Sequence, residues 1–206
     1  MLSPDYPIAT ERLLLRPFAP DDLDGLVAIH ADPDVVRYLY WDVRDRDELR
    51  GVLEDKAARS LLAKEGDALN LAAVVAETGE LAGDVTLFWR SAEHRAGEVG
   101  YIFNPAFGGR GYATEAARAM LRLGFEGLGL HRITGRLDGR NAASARVLER
   151  LGMRREAHLV ENELVKGEWT DEVVYAMLDR EWRAAQADMP ESRSDVAAGS
   201  ASNRSA

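Results

Sequence analysis

The chain has 206 residues, of which 46% are apolar and 30% charged, with a formal net charge of −9 and no cysteine. Its length allows one sizeable core, and the lack of cysteine excludes a disulfide framework, a thiolate zinc site and a cysteine nucleophile. The acidic balance opposes binding to nucleic acid. Residues 1–5 lack a basic segment and an apolar signal region, and no run approaches membrane-spanning length, so we expect a soluble cytoplasmic protein without a membrane partner.

Hydrophobic periodicity and turn residues predict a series of strands and helices along residues 11–178. In chain order, these are a strand at 11–17, a helix from 20 to about 30, a charged helix at 46–64, a hairpin of strands 71–77 and 81–89, a strand at 98–103, a helix from 112, a strand at 131–138, a helix at 142–151, and a final pair of strands near 155–165 and 169–178. Strands that first pair as hairpins and then alternate with helices indicate a mixed sheet with helices packed on it.

Residues 188–206 differ from the rest of the chain. They are rich in serine and alanine and contain no aromatic residue, leucine or isoleucine. Such a segment cannot bury enough apolar surface to offset its ordering entropy. We therefore predict a single domain at 1–187, followed by a disordered tail at 188–206.

A glycine-rich segment, FGGRGYATEA at 107–116, joins the strand at 98–103 to the next helix. Glycines at such a junction allow close approach of a ligand to the backbone, and the first amides of a helix have no intrahelical acceptor. Together with the positive end of the helix dipole, these amides form a site suited to a phosphate or pyrophosphate. A connector without a ligand is the alternative.

Three phosphate-binding loops can be compared with this segment. A Walker loop requires Gly-Lys-Ser/Thr where this chain has Gly-Tyr-Ala, and is excluded. A dinucleotide fingerprint requires a third glycine where Thr114 stands. A coenzyme A loop is the third interpretation, since Gly111-Tyr112-Ala113 fits the end of the acetyltransferase signature Gln/Arg-x-x-Gly-x-Gly/Ala.

Three further segments accompany the loop: TERLLLR at 10–16, NAASARVLERLG at 141–152 and KGEWTD at 166–171. In this order and spacing, the four segments resemble the Gcn5-related N-acetyltransferase (GNAT) superfamily, most closely its ribosomal-protein N-terminal acetyltransferase branch. The resemblance covers about residues 8–183. It implies an α/β (α+β) fold with a mixed, mostly antiparallel central sheet and helices on both faces.

The resemblance also implies acetyl-CoA as co-substrate and assigns residues to it. Backbone groups around Tyr101 and Phe103 would hold the pantetheine arm and the carbonyl. The pyrophosphate would lie on the loop formed by Gly108, Gly109, Arg110, Gly111, Tyr112, Ala113 and Thr114, with Asn141 and Ser144 nearby. The family's Gln/Arg position falls on Gly108, so backbone amides would hold the pyrophosphate more than a side chain does.

The catalytic candidates are Ser144 and Glu98. Ser144 corresponds to a family residue that faces the thioester sulfur and would act as general acid; in many relatives a tyrosine donates this proton. Glu98 is the best candidate for general base, acting through water, with a strand-edge ion pair as its alternative role; Glu163 and Asp171 are weaker candidates. Asn141 is also a good helix N-cap.

Histidines and tryptophans give weaker signals. The four histidines, His30, His94, His131 and His158, lack metal-ligand spacing and are interpreted as surface or capping residues, so no metal is expected. Trp41 and Trp89 either line an acceptor groove or belong to the core.

The predicted function is direct transfer of an acetyl group from acetyl-CoA to a primary amine, with a protein or peptide N-terminal α-amine as first choice. A small-molecule amine acetyltransferase and a non-catalytic acyl-CoA-binding module are the alternatives. A homodimer is left open, as are the acyl group and the identity of the acceptor.

Overall fold

The structure is a computed structural model that describes residues 1–187, so the predicted tail at 188–206 lies outside the described residues. Its strands are β1 (Ile8–Ala9), β2 (Leu13–Arg16), β3 (Ala68–Val75), β4 (Leu81–Ser91), β5 (Ala96–Phe103), β6 (Arg132–Asp138), β7 (Arg154–Val165) and β8 (Glu168–Leu178). Its helices are α1 (Leu23–His30), α2 (Pro33–Val36), α3 (Arg46–Ala58), α4 (Tyr112–Arg122), α5 (Ala142–Arg150) and α6 (Asp179–Ala187).

All eight strands belong to one sheet in the order β1-β2-β3-β4-β5-β6-β8-β7. Every neighbouring pair is antiparallel except β5 and β6, which are parallel. Parallel neighbours need a crossover connection, and α4 supplies it here. The predicted fold class, a mixed and mostly antiparallel sheet, is therefore confirmed.

The central strands are buried on both faces, which explains their long apolar runs. In β3, Leu69 and Leu71 join the core on one face, while Ala72 and Val74 join the core on the other. Alternate side chains of a strand point to opposite faces of the sheet, so each face needs its own cover. Helices α4, α5 and α6 cover the first face, and α1 and α3 cover the second.

Helix α3 ends earlier than predicted. It stops at Ala58, and Arg59 leaves helical geometry with φ −93° and ψ 56°. The Arg59 carbonyl instead accepts a hydrogen bond from the Asn70 amide at 2.8 Å, which turns the chain toward β3. Leu61, placed in the buried stripe by its spacing, is 42% exposed, and Leu62 is buried and pairs with Leu2.

Three elements have no counterpart in the sequence-based prediction. Strand β1 and helix α2 are too short for a periodic signal. Helix α6 follows β8 without a break and buries Trp182, whose indole donates to Glu126 at 2.8 Å. The buried Trp182 thus stabilises a helix that the sequence pattern did not predict.

Candidate active site

The parallel strands β5 and β6 separate part of the way along their length. They pair only where Ala96–Glu98 meets Arg132–Thr134, and no later residues of the two strands pair within the described chain. Beyond this point, residues 99–102 of β5 and 135–138 of β6 border a cleft of about 710 Å³. Tyr101 and Ser144 border the cleft on the α5 side, and His30 borders it on the α1 side, so the cleft joins the two faces of the sheet.

The glycine-rich loop enters α4 with two left-handed glycines. Gly109 has φ +74° and Gly111, the N-cap of α4, has φ +82°. No side chain of the described residues caps the helix, so its first amides keep their donors for another acceptor. A Cβ on Gly109 would meet nothing within 4 Å, which leaves the backbone open on that side. The loop thus has the local geometry of an anion site.

Two side chains of the loop pack against the Phe107 ring. Phe107 packs against Tyr112, with ring centroids 6.3 Å apart, and the Arg110 guanidinium lies 5.5 Å from the Phe107 ring centroid. The Thr114 hydroxyl is buried without a hydrogen-bond partner within residues 1–187. Of the predicted loop residues, backbone groups are therefore better placed than side chains to meet a ligand.

The segment between β1 and β2, residues 10–12, holds the start of α4 through the Glu115 carboxylate. It accepts hydrogen bonds from the Thr10 hydroxyl at 2.6 Å, the Arg12 amide at 2.7 Å and the Arg12 side chain at 2.8 Å. Burial alone would raise the pKa of Glu115, but these donors outweigh burial and lower it. Arg12 also donates to the Arg110 carbonyl at 2.8 Å, which connects the loop to the same segment.

Asn141 and Ser144 are positioned by the start of α5. The Asn141 side-chain oxygen accepts from the Ser144 amide at 3.0 Å, which is the predicted N-cap. The helix lies close against β6 because Gly135 has no side chain; a Cβ there would come within 2.7 Å of Leu148. Ser144 is thereby brought to the point where β5 and β6 separate.

Tyr101 and Ser144 form a hydroxyl pair. The Tyr101 hydroxyl lies 3.0 Å from both the carbonyl oxygen and Oγ of Ser144. Burial raises the pKa of Tyr101 above its ordinary value, which the hydrogen bond from Ser144 partly opposes. The phenol therefore keeps its proton at neutral pH. The sequence pointed to Ser144 alone for proton donation, and only the fold places a tyrosine from β5 beside it.

Glu98 lies where the strands begin to separate and forms an ion pair with Arg90 at 3.1 Å. The weaker candidates are also engaged: Glu163 accepts from the Tyr40 hydroxyl at 2.7 Å, and Asp171 contacts His158 at 2.6 Å. Phe103 packs against Gly83 in β4, where a Cβ would come within 2.6 Å of its ring. Glu98 and Glu163 line the cleft, whereas Asp171 and Phe103 do not.

The α1 side of the cleft contains polar residues that the sequence-based assignment missed. His30 was interpreted as a surface or capping residue, but it is fully buried and stacks on Trp41. Trp41 lines the cleft, whereas Trp89 packs against the core. The helical spacing of His30 with Leu26 and Val27 of α1 was an available signal for burial, but nothing local connected it with a site.

Beneath this end of the cleft lies a buried polar network formed by Lys56, Asn70, Asp84 and Thr86. Lys56 pairs with Asp84 at 3.0 Å and donates to the Asn70 oxygen at 3.3 Å, and Asn70 contacts Thr86. Polar residues within otherwise apolar strands were the available signal, because a buried polar group needs a partner.

The opposite wall is closed by the β7–β8 hairpin. Lys166 at its tip donates to the Val36 carbonyl at 2.9 Å and pairs with Asp42 at 3.3 Å. Deeper in the wall, Arg136 and Asn162 both bond the buried carboxylate of Glu172. These contacts tie the far edge of the sheet to the segment between α2 and α3.

Within residues 1–187 there is no group of three or more metal-ligating side chains. In the same part of the chain, no helix is both long and apolar enough to span a membrane.

Comparison with known proteins finds relatives of this chain in sequence and in structure. The family model "Acetyltransferase (GNAT) domain" matches residues 12–154. The uncharacterized N-acetyltransferase YnaD of Bacillus subtilis is 33% identical over 177 residues, which are 85% of this chain and 98% of the relative. A solved GNAT-family acetyltransferase from Bacillus anthracis is also 33% identical, with a TM-score of 0.76 over 84% of this chain and 99% of that structure.

Two further relatives have names that state an acceptor. The putative ribosomal N-acetyltransferase YdaF of Bacillus subtilis is 34% identical over 104 residues, 50% of this chain and 57% of the relative. The spermidine N(1)-acetyltransferase of Escherichia coli is 25% identical over 170 residues, 82% of this chain and 88% of the relative. The superfamily resemblance is confirmed, and the named acceptors are of two kinds.

Proposed function

Because this chain belongs to the GNAT family of N-acetyltransferases, we propose that it transfers an acetyl group from acetyl-CoA directly to the N-terminal α-amine of a protein or peptide. The amine nitrogen forms a bond to the thioester carbonyl carbon, and the carbon–sulfur bond breaks. The amine gives up one proton and the departing thiolate takes up one. A cleft that joins both faces of the sheet supports direct transfer, since each substrate can enter from its own side.

The loop before α4 supports binding of acetyl-CoA. Its uncapped amides and the open backbone at Gly109 fit a pyrophosphate, and Gly111 brings the chain into α4 without a side chain. Acetyl-CoA would supply the activated thioester. The protein would fix the position of that thioester and supply or remove protons.

The hydroxyl pair of Tyr101 and Ser144 is the proposed proton source for the leaving thiolate. The two groups are 3.0 Å apart, and burial keeps the tyrosine protonated. A proton delivered as the carbon–sulfur bond breaks acts in the transition state, which is where general acids contribute. Either hydroxyl can pass its proton on while the other replaces it.

One observation carries the choice of an α-amine: the carboxylate proposed as general base is already ion-paired. Glu98 forms an ion pair with Arg90 at 3.1 Å, so its carboxylate is already engaged by another side chain. The reference pKa of an α-amine is about 7.7–8.0 and that of a lysine about 10.4, so at pH 7 the neutral fraction differs by more than about a hundredfold. A site without a strong base acts more readily on the α-amine.

A small-molecule amine is the second candidate, favoured by the relative named as a spermidine acetyltransferase. The relative named as a putative ribosomal acetyltransferase favours the first, as does the resemblance to the ribosomal-protein branch. The primary amines of a polyamine are strongly basic, like lysine, and are at the same disadvantage in a site without a strong base.

A thiol-release assay with acetyl-CoA and a panel of peptides and polyamines tests the proposal. Mass spectrometry of a peptide that carries both an α-amine and an internal lysine then locates the acetyl group. We expect modification of the α-amine. Acetylation confined to the lysine, or turnover with polyamines alone, would contradict the α-amine assignment.

A further inference from the structure

The α1 end of the cleft contains a buried donor without an acceptor. The indole nitrogen of Trp41, which can only donate, lies 3.3 Å from His30 Nδ1. Nδ1 must therefore be the unprotonated nitrogen, and a neutral ring carries its proton on Nε2. Burial lowers the pKa of His30 to about 4, so the ring is neutral at pH 7. His30 lines the cleft, and its Nε2 is buried without a partner in residues 1–187.

An orphaned buried donor is unfavourable unless a ligand completes it. Leaving such a group unpaired costs about 1–3 kcal/mol. In the neutral tautomer set by Trp41, His30 can only donate from Nε2, so the missing partner must be a hydrogen-bond acceptor. An ammonium group cannot fill that role, because it has no lone pair.

Arg44 supplies a positive charge at the same place. Its guanidinium lies 4.8 Å from the Trp41 ring centroid and borders the cleft. No carboxylate in the described part of the chain lies within ion-pair distance of it. His30 lies beside the same indole, with ring centroids 6.0 Å apart. Trp41 thus fixes both an N–H donor and a cation at one end of the cleft.

None of the carboxylates that line the cleft forms an ion pair with Arg44. Those that are buried or half-buried contact another cation: Asp84 contacts Lys56, Glu98 contacts Arg90, Glu163 contacts Arg136, and Asp138 contacts Arg140. Cations and carboxylates are equal in number along the cleft. The positive charge of Arg44 is therefore a local feature: its guanidinium lies beside Trp41 without a carboxylate partner in the described part of the chain.

We propose that His30, Trp41 and Arg44 form a carboxylate-binding subsite for the amine acceptor. The inference rests on the proposed function and narrows it: the preferred acceptors carry a carboxylate as well as the reacting amine. That carboxylate belongs either to the side chain of an acidic N-terminal residue or to a free amino acid. A polyamine offers neither an acceptor for His30 nor a charge for Arg44.

Matched amines test the proposal and distinguish the two sources. One arm compares C-terminally amidated tripeptides that begin with Asp or Asn, and with Glu or Gln. The other compares free amino acids with their amides. We expect kcat/KM to be at least tenfold higher for the carboxylate member in one of these arms. In Arg44→Gln, the ratio of kcat/KM for the carboxylate member to kcat/KM for the amide member should fall to about one.

Arg37→Gln is the control, since Arg37 also lies over an aromatic ring, Tyr38 at 5.5 Å, but outside the cleft. It should keep the wild-type ratio. Melting temperatures of both variants establish that they are folded. Equal kcat/KM for the acid and amide members in wild type, or a preference that survives Arg44→Gln, would overturn the subsite.

A binding measurement separates this proposal from the acetyl-transfer proposal. Isothermal titration of the same amines into the CoA-loaded protein reports their affinity without turnover. A tenfold tighter Kd for the carboxylate member, lost in Arg44→Gln, supports the subsite even if none of the amines is acetylated. Equal affinities, or no binding of any carboxylate amine, would refute it whatever the turnover.

Discussion

At the scale of single residues, Gly108 and Gly111 are glycines for different reasons. Gly108 has an ordinary φ of −58°, but a Cβ there would lie 2.8 Å from the Pro105 carbonyl oxygen. Gly111 has room for a side chain and instead needs φ +82° to enter α4. The first glycine makes the turn tight, so the loop has no long side chain where the family signature has Gln or Arg. The second presents bare amides at the helix start.

Gly111→Glu should weaken acetyl-CoA binding at least tenfold, about 1.4 kcal/mol or more. The substitution adds a negative charge beside the proposed pyrophosphate site and a side chain at a positive φ. Titration calorimetry measures the affinity. Gly79→Glu is a matched control, because Gly79 has φ +75° in the β3–β4 turn and no proposed ligand. An unchanged affinity in folded Gly111→Glu would contradict the loop assignment.

Ser144→Ala should lower kcat about 10²-fold with little change in the Kd of acetyl-CoA, because a proton donor acts in the transition state. Tyr101→Phe should have a similar effect, since the two hydroxyls form one donor pair. The double variant should be no slower than the worse single variant, because residues that act as a unit are not additive.

Steady-state rates and calorimetry measure these effects, with Tyr6→Phe as the control; the Tyr6 hydroxyl bonds the Ser60 carbonyl outside the cleft. Turnover of Ser144→Ala within about threefold of wild type would mean that proton donation by Ser144 is unimportant.

At the scale of elements, the segment that leads into β2 is connected to the start of α4 through one carboxylate. Glu115 in the first turn of α4 accepts from Thr10 and twice from Arg12. The Arg12 side chain is 44% exposed, so the ion pair itself is screened and contributes little. The half-buried hydroxyl and the backbone amide contribute more, because their loss leaves donors unpaired.

Glu115→Gln should lower the free energy of unfolding by about 1–3 kcal/mol at pH 7. The folded-state pKa of Glu115 lies below its ordinary value of 4.5, so its contribution is complete above that value and is lost as the pH falls through the folded-state pKa. The stability difference between wild type and variant should therefore narrow below about pH 4.5.

Urea unfolding at pH 7 and at pH 3.5 measures this difference. Glu80→Gln, at an exposed turn position, should show little difference at either pH. A Glu115→Gln deficit that stays constant or grows in acid would show that the carboxylate charge is not what joins residues 10–12 to α4.

At the scale of the whole molecule, the sheet separates the two proposed substrates. The α4 and α5 face carries the glycine loop and Ser144, and the α1 and α3 face carries His30 and the buried network around Asp84. The separation of β5 from β6 joins the two faces through a cleft of about 710 Å³. A reaction between two bound substrates then needs no covalent intermediate on the protein.

Deletion of residues 188–206 should leave the melting temperature and the acetylation rate nearly unchanged. Composition is the basis of this prediction, since the segment has no aromatic residue, leucine or isoleucine to bury. Differential scanning calorimetry and the thiol-release assay compare the truncated and full chains. A large fall in either quantity would mean that the segment docks on the domain or on the cleft.

The amino-acid sequence by itself determined most of the elements and pointed to the glycine-rich loop as a candidate cofactor site. Both depend on local information: strand and helix periodicity, and glycines followed by a helix start at Gly111. Local signals failed where a distant contact decided the outcome. The hydrogen bond from Asn70 to Arg59 ended α3 early, and burial of Trp182 fixed α6.

Only the tertiary structure decided which side chains meet in the cleft. Tyr101 and Ser144 are 43 residues apart and touch because β5 leaves β6 while Gly135 admits α5. His30 became a buried donor without an acceptor because Trp41 holds its other nitrogen. A sequence encodes the periodicity of one element at a time, whereas a site is made by side chains of several elements whose spacing is set by strand register and helix packing.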